Sequence, residues 1–344
     1  MQTNQTLKTP DLTLIVPCYN EAGNIPCFYR SATSVFREAN VSLELVFIDD
    51  GSADDTLSAL HRLARTHDHD VIVQVISFSR NFGKESGLYA GLQAARGRIV
   101  GLIDADMQQD PKIACQMYHY LQEHNDCDVV AAYQEERHER RLLRWSKHMF
   151  YRTFNAASDE IDIPADMSDF RLFRHDVATA LLSMPEYFRF SKGLFAWVGF
   201  RTHAMPYTPH QRHSGTSSWS FSQLFHYAMG GILAFTTWPL KIAKWTGVVS
   251  ALGALIYLLY VVIVDYGIKG IAVPGYPTLV CLILLLGGVQ LLVLGIIGEY
   301  LARDYLEGKH RPLYIARERI DSAYDDESVQ ESDDIPAGTK EETA

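Results

Sequence analysis

Short apolar runs alternate with helical segments through the first part of the chain. Runs such as LTLIVPCYN, LELVFIDDGS and RIVGLIDADM are strand-like, and each ends in residues that favour turns. The segments between them, such as IPCFYRSATSVFREAN, place apolar side chains at helical spacing. Because strands and helices alternate, we predict a parallel sheet with right-handed crossovers.

Two longer apolar runs, 245–264 and 277–298, indicate that the protein enters a membrane. The first has no charged residue, and each reaches the roughly 20 residues that cross a bilayer as a helix. Basic residues concentrate on the two outer flanks, which places both flanks on the cytoplasmic side. They are Lys241, Lys244, Arg303, Lys309, Arg311, Arg317 and Arg319. The pattern predicts a two-helix membrane hairpin, with the globular domain and both termini in the cytoplasm.

Charge and cysteine content limit further which class of protein this chain can be. The formal net charge is −10, and most of it comes from the acidic tail 321–344, which we expect to be disordered. The five cysteines are odd in number and show no C-x-x-C spacing, so neither a disulfide framework nor a zinc site is indicated. Residues 1–10 are polar, and we expect a flexible N-terminus without a signal peptide. No feature indicates a nucleic-acid partner.

Polar side chains gather where three of the predicted strands end, in the segments VPCYNE, IDDGS and DADMQQD. The carboxyl ends of parallel strands meet at one edge of a sheet, which is where such sheets bind ligands. The residues expected to share this crevice are Asn20, Glu21, Asp49, Asp50, Asp104 and Asp106. For Asp104 and Asp106 taken alone, a solvated turn is an equally good interpretation.

An acidic crevice of this kind needs a cation. Oxygen ligands suit Mg²⁺ or Mn²⁺, which are usually held by one or two carboxylates together with substrate phosphates. The chain has no G-x-G-x-x-G motif, which counts against a dinucleotide-binding enzyme. We therefore interpret the crevice as a site for a nucleotide diphosphate that is held through a metal ion.

The ordered motifs resemble those of family 2 inverting glycosyltransferases with the GT-A fold. The motifs are VPCYNE, IDDGSADDT, SRNFGKESGLYAGLQAARG, LIDADMQQDP and SDFRLF. Further along, GLFAWVGF, RHSGTSSW and IGEYLARDYLEGKHRPLY resemble the polyprenyl-phosphate sugar transferases, including the bactoprenol glucosyltransferases and relatives of dolichol-phosphate mannose synthase. The resemblance covers residues 12–319. It implies an α/β protein in which a GT-A (Rossmann-like) catalytic domain precedes a two-helix transmembrane hairpin.

The resemblance also implies domain limits. We expect a flexible N-terminus at 1–10, the GT-A domain at 11–218, interfacial juxtamembrane helices at 219–243, two transmembrane helices at 244–301, a cytoplasmic segment at 302–320 and the disordered tail at 321–344.

Individual roles follow from the matching positions. Asp104 and Asp106 form the D-x-D motif that would hold the metal, with Asp106 the more direct ligand. The catalytic residues would be Asp106, Asp169 and Arg212, where Asp169 serves as a base or as an orienting group. The nucleotide-sugar would contact Pro17, Tyr19, Glu21, Asp49, Asp50, Lys84, Asp104, Gln108 and Trp219. Arg212 and Trp219 match a loop, R-x-x-G-x-S-x-W, that closes over donor and acceptor.

The chain departs from the family pattern near two of these motifs. Gln109 and Asp110 stand where the family usually has Asp and Pro. Ser218 stands where the family usually has a lysine, which removes one phosphate contact from the closing loop.

A basic segment between the catalytic motifs is the candidate site for the acceptor phosphate. Its residues are Arg137, Arg140, Arg141, Arg144, Lys147 and Arg152. Spacings of three and four put Arg137, Arg140, Arg141 and Arg144 on one helical face, and arginine binds phosphate in a bidentate manner. A solvated or membrane-facing basic surface is the alternative, because anionic headgroups attract the same side chains.

Together these features predict the transfer of one hexose, glucose or N-acetylglucosamine, from a UDP-sugar to undecaprenyl phosphate, yielding a lipid-linked sugar for cell-envelope glycosylation. A processive polysaccharide synthase is an alternative, although RLLRW has Arg141 where that class has Gln. A non-catalytic membrane scaffold is a second alternative. Homo-oligomerisation through the hairpin, and partnership with a flippase or a downstream glycosyltransferase, stay open.

Overall fold

The computed structural model describes residues 9–66, 71–134, 155, 167–208, 236–260, 263 and 275–323. Within these residues the protein forms a mixed sheet of eight strands in the order β7-β5-β6-β4-β1-β2-β3-β8. The strands are β1 Leu12–Cys18, β2 Leu43–Asp49, β3 Val71–Phe78, β4 Ile99–Leu102, β5 Val129–Gln134, β6 Met167–Arg174, β7 Thr202–Tyr207 and β8 Ala316–Asp321.

The predicted parallel arrangement is confirmed for the first four strands. β1 pairs in parallel with β2 and β4, and β2 pairs in parallel with β3. β6 is antiparallel to both β4 and β5, and β8 is antiparallel to β3. The four parallel strands therefore direct their carboxyl ends to one edge of the sheet, as the sequence pattern requires.

Helices cover both faces of the sheet. They are α1 Ile25–Glu38, α2 Thr56–Ala64, α3 Lys84–Ala94, α4 Pro111–Glu123, α5 His175–Leu182, α6 Ser191–Trp197, α7 Trp238–Tyr260 and α8 Tyr276–Glu307. One apolar core lies under α1, α2 and α4, and the other lies under α3, α5 and α6. Because both faces of β1 are covered, its run of apolar residues is almost wholly buried.

Close packing of α3 on β1 depends on a glycine. A Cβ atom at Gly91 would lie only 2.2 Å from Cγ2 of Ile15. Because Gly91 has no side chain, α3 can lie close to the sheet. The first residue of α3, Lys84, then lies near the edge where the parallel strands end.

The last strand, β8, lies outside the segment 11–218 that was predicted as the catalytic domain. The sequence interpretation ended that domain at 218 and treated 302–320 as a separate cytoplasmic segment. In the structure, 316–321 pairs with β3, and Ser322 donates its backbone N–H to the carbonyl oxygen of Val73 at 3.0 Å. The domain is therefore built from two separate parts of the chain, on either side of the hairpin.

Two helices are long and apolar enough to cross a membrane, over Trp238–Tyr257 and Leu285–Glu307. The predicted boundary at 243/244 falls inside α7, which continues without a break from Trp238. The predicted end of the second span at 301 falls inside α8, which has 32 residues and is therefore about 48 Å long. Many of the apolar side chains of these two helices are exposed, as expected for helices that face lipid.

The end of α8 contacts the catalytic domain directly. Both carboxylate oxygens of Glu307 accept the backbone N–H of Tyr187, at 2.9 and 3.1 Å. The guanidinium of Arg303 lies 4.7 Å from the centre of the Phe188 ring. Since β8 follows within ten residues, the membrane helix is joined to the sheet at both its last turn and the strand after it.

Candidate active site

The turns that follow β1, β2 and β3 are packed against one another. Asn20 adopts a positive φ of 57°, and its side-chain oxygen accepts the backbone N–H of Ala53 at 2.9 Å. Gly51 has a φ of 66°, and a Cβ atom there would lie 2.5 Å from the carbonyl carbon of Arg80. The glycine of IDDGS is therefore required both by the backbone conformation and by the neighbouring turn.

Asp49 and Asp50 lie at the predicted edge and hold these turns in place. Asp49 accepts the backbone N–H of Ser52 at 3.0 Å and the hydroxyl of Ser77 at 2.8 Å. Asp50 accepts the backbone N–H groups of Phe82 and Gly83, at 2.6 and 2.9 Å. Burial raises the pKa of Asp50, and these two N–H groups only partly oppose the rise. Every oxygen of the pair thus already has a partner within the protein.

Three further predicted nucleotide contacts lie at the end of β1. Pro17 and Glu21 are half-buried, and Tyr19 is 45% exposed. The buried thiol of Cys18 is affected by negative charge from neighbouring carboxylates. Its pKa is raised first by burial and then by the carboxylates of Glu21, Asp49 and Asp104. Carboxylates from three separate strand ends are therefore close enough to act on one group.

Lys84 joins two of the predicted functional carboxylates. Its ammonium nitrogen lies 2.7 Å from Asp104 Oδ1 and 3.6 Å from Asp169 Oδ2. The geometry follows from the sheet, because Leu102 pairs with Arg171 and the antiparallel register places Asp104 opposite Asp169. We call Lys84, Asp104, Asp106 and Asp169 the Lys84 cluster.

The charges of this cluster stabilise one another. Burial would lower the pKa of Lys84, but Asp104 and Asp169 outweigh this effect and raise it well above its usual value. Burial would raise the pKa of Asp169, but Lys84, Lys192 and Arg171 together lower it. Asp169 is therefore a carboxylate at neutral pH and a weak base.

Asp106 and Asp104 are fixed by the turn that follows β4. Asp106 is 7% exposed, and its Oδ1 accepts the backbone N–H of Gln108 at 3.1 Å. The side chain of Gln109 makes two hydrogen bonds to Asp104. Its Oε1 accepts the backbone N–H of Asp104 at 2.9 Å, and its Nε2 donates to Asp104 Oδ2 at 3.1 Å. The sequence interpretation assigned Gln109 no role. Its departure from the family pattern was the only available signal.

The donor set fits a divalent cation that is shared with a substrate. Among the residues that the structure describes, no three His, Cys, Asp or Glu side chains are grouped to hold a metal ion. Mg²⁺ needs only one or two carboxylates when substrate phosphates and water supply its other ligands. Asp106 and Asp104 would supply these carboxylates, and the two oxygens of Asp104 also contact Lys84 and Gln109.

Several predicted site residues lie outside the described residues. They are Arg212 and Trp219 of the closing loop, and Arg137, Arg140, Arg141, Arg144, Lys147 and Arg152 of the basic segment. Their roles stay predictions.

Two family models match consecutive parts of the chain. The model of Glycosyl transferase family 2 matches residues 13–182, and that of the GtrB C-terminal hairpin matches 238–303. A glucosyl-3-phosphoglycerate synthase from Mycobacterium tuberculosis, solved with Mn²⁺ and UDP-glucose, is 16% identical. It aligns with a TM-score of 0.42 over 65% of this chain and 77% of its own.

Sequence relatives cover most of the chain. The putative glycosyltransferase CsbB of Bacillus subtilis is 39% identical over 89% of this chain and 91% of its own. The bactoprenol glucosyl transferase of Shigella phage SfV is 37% identical over 89% of this chain and 98% of its own. With the D-x-D turn, the mixed sheet and the hairpin in place, the chain belongs to glycosyl transferase family 2, in the group with a GtrB-type C-terminal hairpin, and is a glycosyltransferase.

Proposed function

We propose that this enzyme transfers one glucose, with inversion, from UDP-glucose to undecaprenyl phosphate at the cytoplasmic face of the membrane. The observation that carries the proposal is the Lys84 cluster, in which one ammonium group joins carboxylates of two strand ends in a chain with an apolar hairpin. The bactoprenol glucosyl transferases among the relatives favour glucose and a polyprenyl carrier.

The donor half of the reaction requires positive charge at the leaving diphosphate. Asp106 and Asp104 would hold Mg²⁺ or Mn²⁺, which supplies Lewis-acid stabilisation of the diphosphate. Lys84 is the one ammonium group in direct contact with Asp104 in the described part of the chain, and it lies where it can add a charge-assisted hydrogen bond. Gln109 keeps Asp104 in place for this role.

The acceptor half requires little proton transfer. A phosphate monoester has a second pKa near ~6 and is already mostly ionised at neutral pH. The lowered pKa of Asp169 makes this carboxylate a poor general base. We therefore assign Asp169 the task of positioning the sugar or the acceptor through its charge and its contact with Lys84.

The hairpin supplies access to the lipid. A polyprenyl chain does not leave the bilayer, so the catalytic edge must be held against the membrane. α8 leads into β8 of the catalytic sheet, which places the end of the hairpin beside that domain. The basic segment from Arg137 to Arg152 would bind the acceptor phosphate in this arrangement.

The test is a substrate panel. Purified full-length protein is incubated with Mg²⁺ or Mn²⁺, undecaprenyl phosphate and UDP-glucose, UDP-N-acetylglucosamine or UDP-galactose, and the lipid product is weighed by mass spectrometry. We expect a hexosyl-phosphoryl-undecaprenol from UDP-glucose, and none after chelation of the metal. A lipid product formed only from another UDP-sugar would refute the proposal that glucose is the transferred sugar. An absence of any lipid product with all donors, from folded protein, would refute the proposal.

A further inference from the structure

A cavity of about 470 Å³ lies beside the end of α8, and no residue of the Lys84 cluster lines it. It is bounded by α3, by the residues before α6, by the last turn of α8 and by the segment that leads into β8. Tyr89 and Gln93 form its α3 wall, about 8 and 14 Å further along the helix axis than Lys84. The cavity is therefore separate from the catalytic edge.

The lining is rich in positive charge. Arg311 and Arg319 are exposed and contribute two guanidinium groups, and His310 contributes an imidazole. Glu307 is the one carboxylate among the lining residues, and both of its oxygens accept the backbone N–H of Tyr187. Guanidinium groups favour phosphate because their planar donors match two of its oxygens.

One of these arginines is held in position before any ligand arrives. The hydroxyl of Tyr314 donates to Gln93 Oε1 at 2.8 Å and accepts from Arg319 Nη2 at 3.0 Å. The Tyr314 ring stacks on Phe78 with centroids 4.8 Å apart. Within the described residues, this hydrogen bond uses one of the five N–H donors of Arg319 and orients its guanidinium group.

The position of the cavity indicates where the phosphate comes from. Glu307 is both the last residue of the apolar span Leu285–Glu307 and part of the cavity wall. The uncharged run of α8 ends at Gly298, about 14 Å before Glu307 along the helix axis, so the cavity lies beyond the apolar run on its basic flank, the side where anionic headgroups would attract arginine. We propose that it binds the phosphate group of a membrane lipid, through Arg311 and Arg319. This site does not depend on the transfer reaction or on the identity of the sugar.

The experiment compares two variants with the same loss of charge. R311Q/R319Q removes the two cavity arginines, and R62Q/R65Q removes two exposed arginines at the C-terminal end of α2. Each full-length protein is purified into nanodiscs of phosphatidylcholine that also contain phosphatidylglycerol or undecaprenyl phosphate. Native mass spectrometry then counts the lipids that stay bound. A melting curve for each variant confirms that it is folded.

We expect R311Q/R319Q to retain the anionic lipid roughly tenfold less than wild type, and R62Q/R65Q to retain it as wild type does. Retention of phosphatidylglycerol would identify a membrane headgroup as the source, and selective retention of undecaprenyl phosphate would identify the acceptor lipid. Equal retention by the two variants would overturn the proposal. So would displacement of the lipid by inorganic phosphate alone, since this would indicate a site for soluble phosphate.

Discussion

Each end of the sheet carries a basic side chain between two carboxylates, and the two groups differ chiefly in the burial of one carboxylate. At the carboxyl ends of the parallel strands, Lys84 contacts Asp104 and Asp169, and all three side chains are about one third exposed. At the opposite end, Arg96 joins Glu44 to Asp321, and Glu44 is wholly buried. We call Glu44, Arg96 and Asp321 the Arg96 cluster.

The Arg96 cluster is closed because Glu44 is inaccessible to solvent and both of its oxygens accept hydrogen bonds. Glu44 accepts from the hydroxyl of Thr13, from Gln74 at 2.8 Å, and from both the backbone and the guanidinium of Arg96 at 2.9 and 2.6 Å. Two further guanidinium nitrogens reach Asp321 at 3.0 and 3.2 Å. The same set of charges thus serves structure where it is enclosed, and is available for chemistry where it is open.

The largest effect is expected at the open end, for Asp106→Asn. Loss of one charge at the metal site should lower turnover roughly 10³-fold, while the melting temperature stays near that of wild type. Lipid-linked product measured by mass spectrometry gives the rate. The matched control is D110N, because Asp110 caps α4 in the same turn and asparagine caps equally well. Equal activity in the two variants would contradict the metal role of Asp106.

At the closed end, Arg96→Ala should destabilise the fold and leave the chemistry intact. Removal of the guanidinium strands the buried carboxylate of Glu44, which should cost about 3 kcal/mol of unfolding free energy. Chemical denaturation measures this loss, with R65A as the control on an exposed helix end. The comparison fails if R96A melts like R65A, or if its turnover per folded molecule falls as far as that of D106N.

Lys84→Met should lower turnover by roughly 10²-fold, because the diphosphate loses a charged donor and Asp169 loses its main positive neighbour. Lys192→Met removes a second, weaker influence on Asp169 and should reduce turnover less. Steady-state rates at saturating donor and metal separate the two variants. A larger loss for K192M than for K84M would show that Lys84 is not the central cation of the cluster.

The smallest effect is expected for Gln109→Leu. Asp104 would keep its contact with Lys84 but lose both contacts to Gln109, which should lower activity or metal affinity by roughly tenfold. Metal titration of the initial rate measures this change, with Q122L on the exposed side of α4 as the control. An unchanged metal dependence in Q109L would remove Gln109 from the site.

The convergence of the strand ends at one edge could be predicted from the sequence because its signals are local. Each of the segments around Asn20, Asp49 and Asp104 joins a buried strand to turn residues, and parallel strands bring such ends together. The two long apolar helices could be predicted because their apolar runs are long, although α7 begins earlier, at Trp238, and α8 ends later, at Glu307.

The contacts that link distant segments could not be predicted. The sequence of β8, ARERID, is mostly charged, and its residues alternate between half-buried and exposed positions before the final pair. Its pairing with β3 is what makes it a strand. The link from Arg96 to Asp321 spans more than two hundred residues, and the bridge from Lys84 to Asp169 depends on the β4–β6 register. The local pattern of apolar and polar residues contains no information on the contact of Arg96 with Asp321 or of Lys84 with Asp169.

The position of β8 in the chain sets the order in which the protein can be completed. A ribosome makes both apolar helices before it makes Ala316–Asp321, so during their synthesis β3 can pair with β2 but has no strand on its outer edge. Arg96 likewise lacks its contact with Asp321 until translation is nearly finished. The enzyme thus acquires its last strand only after the segments that anchor it have been made.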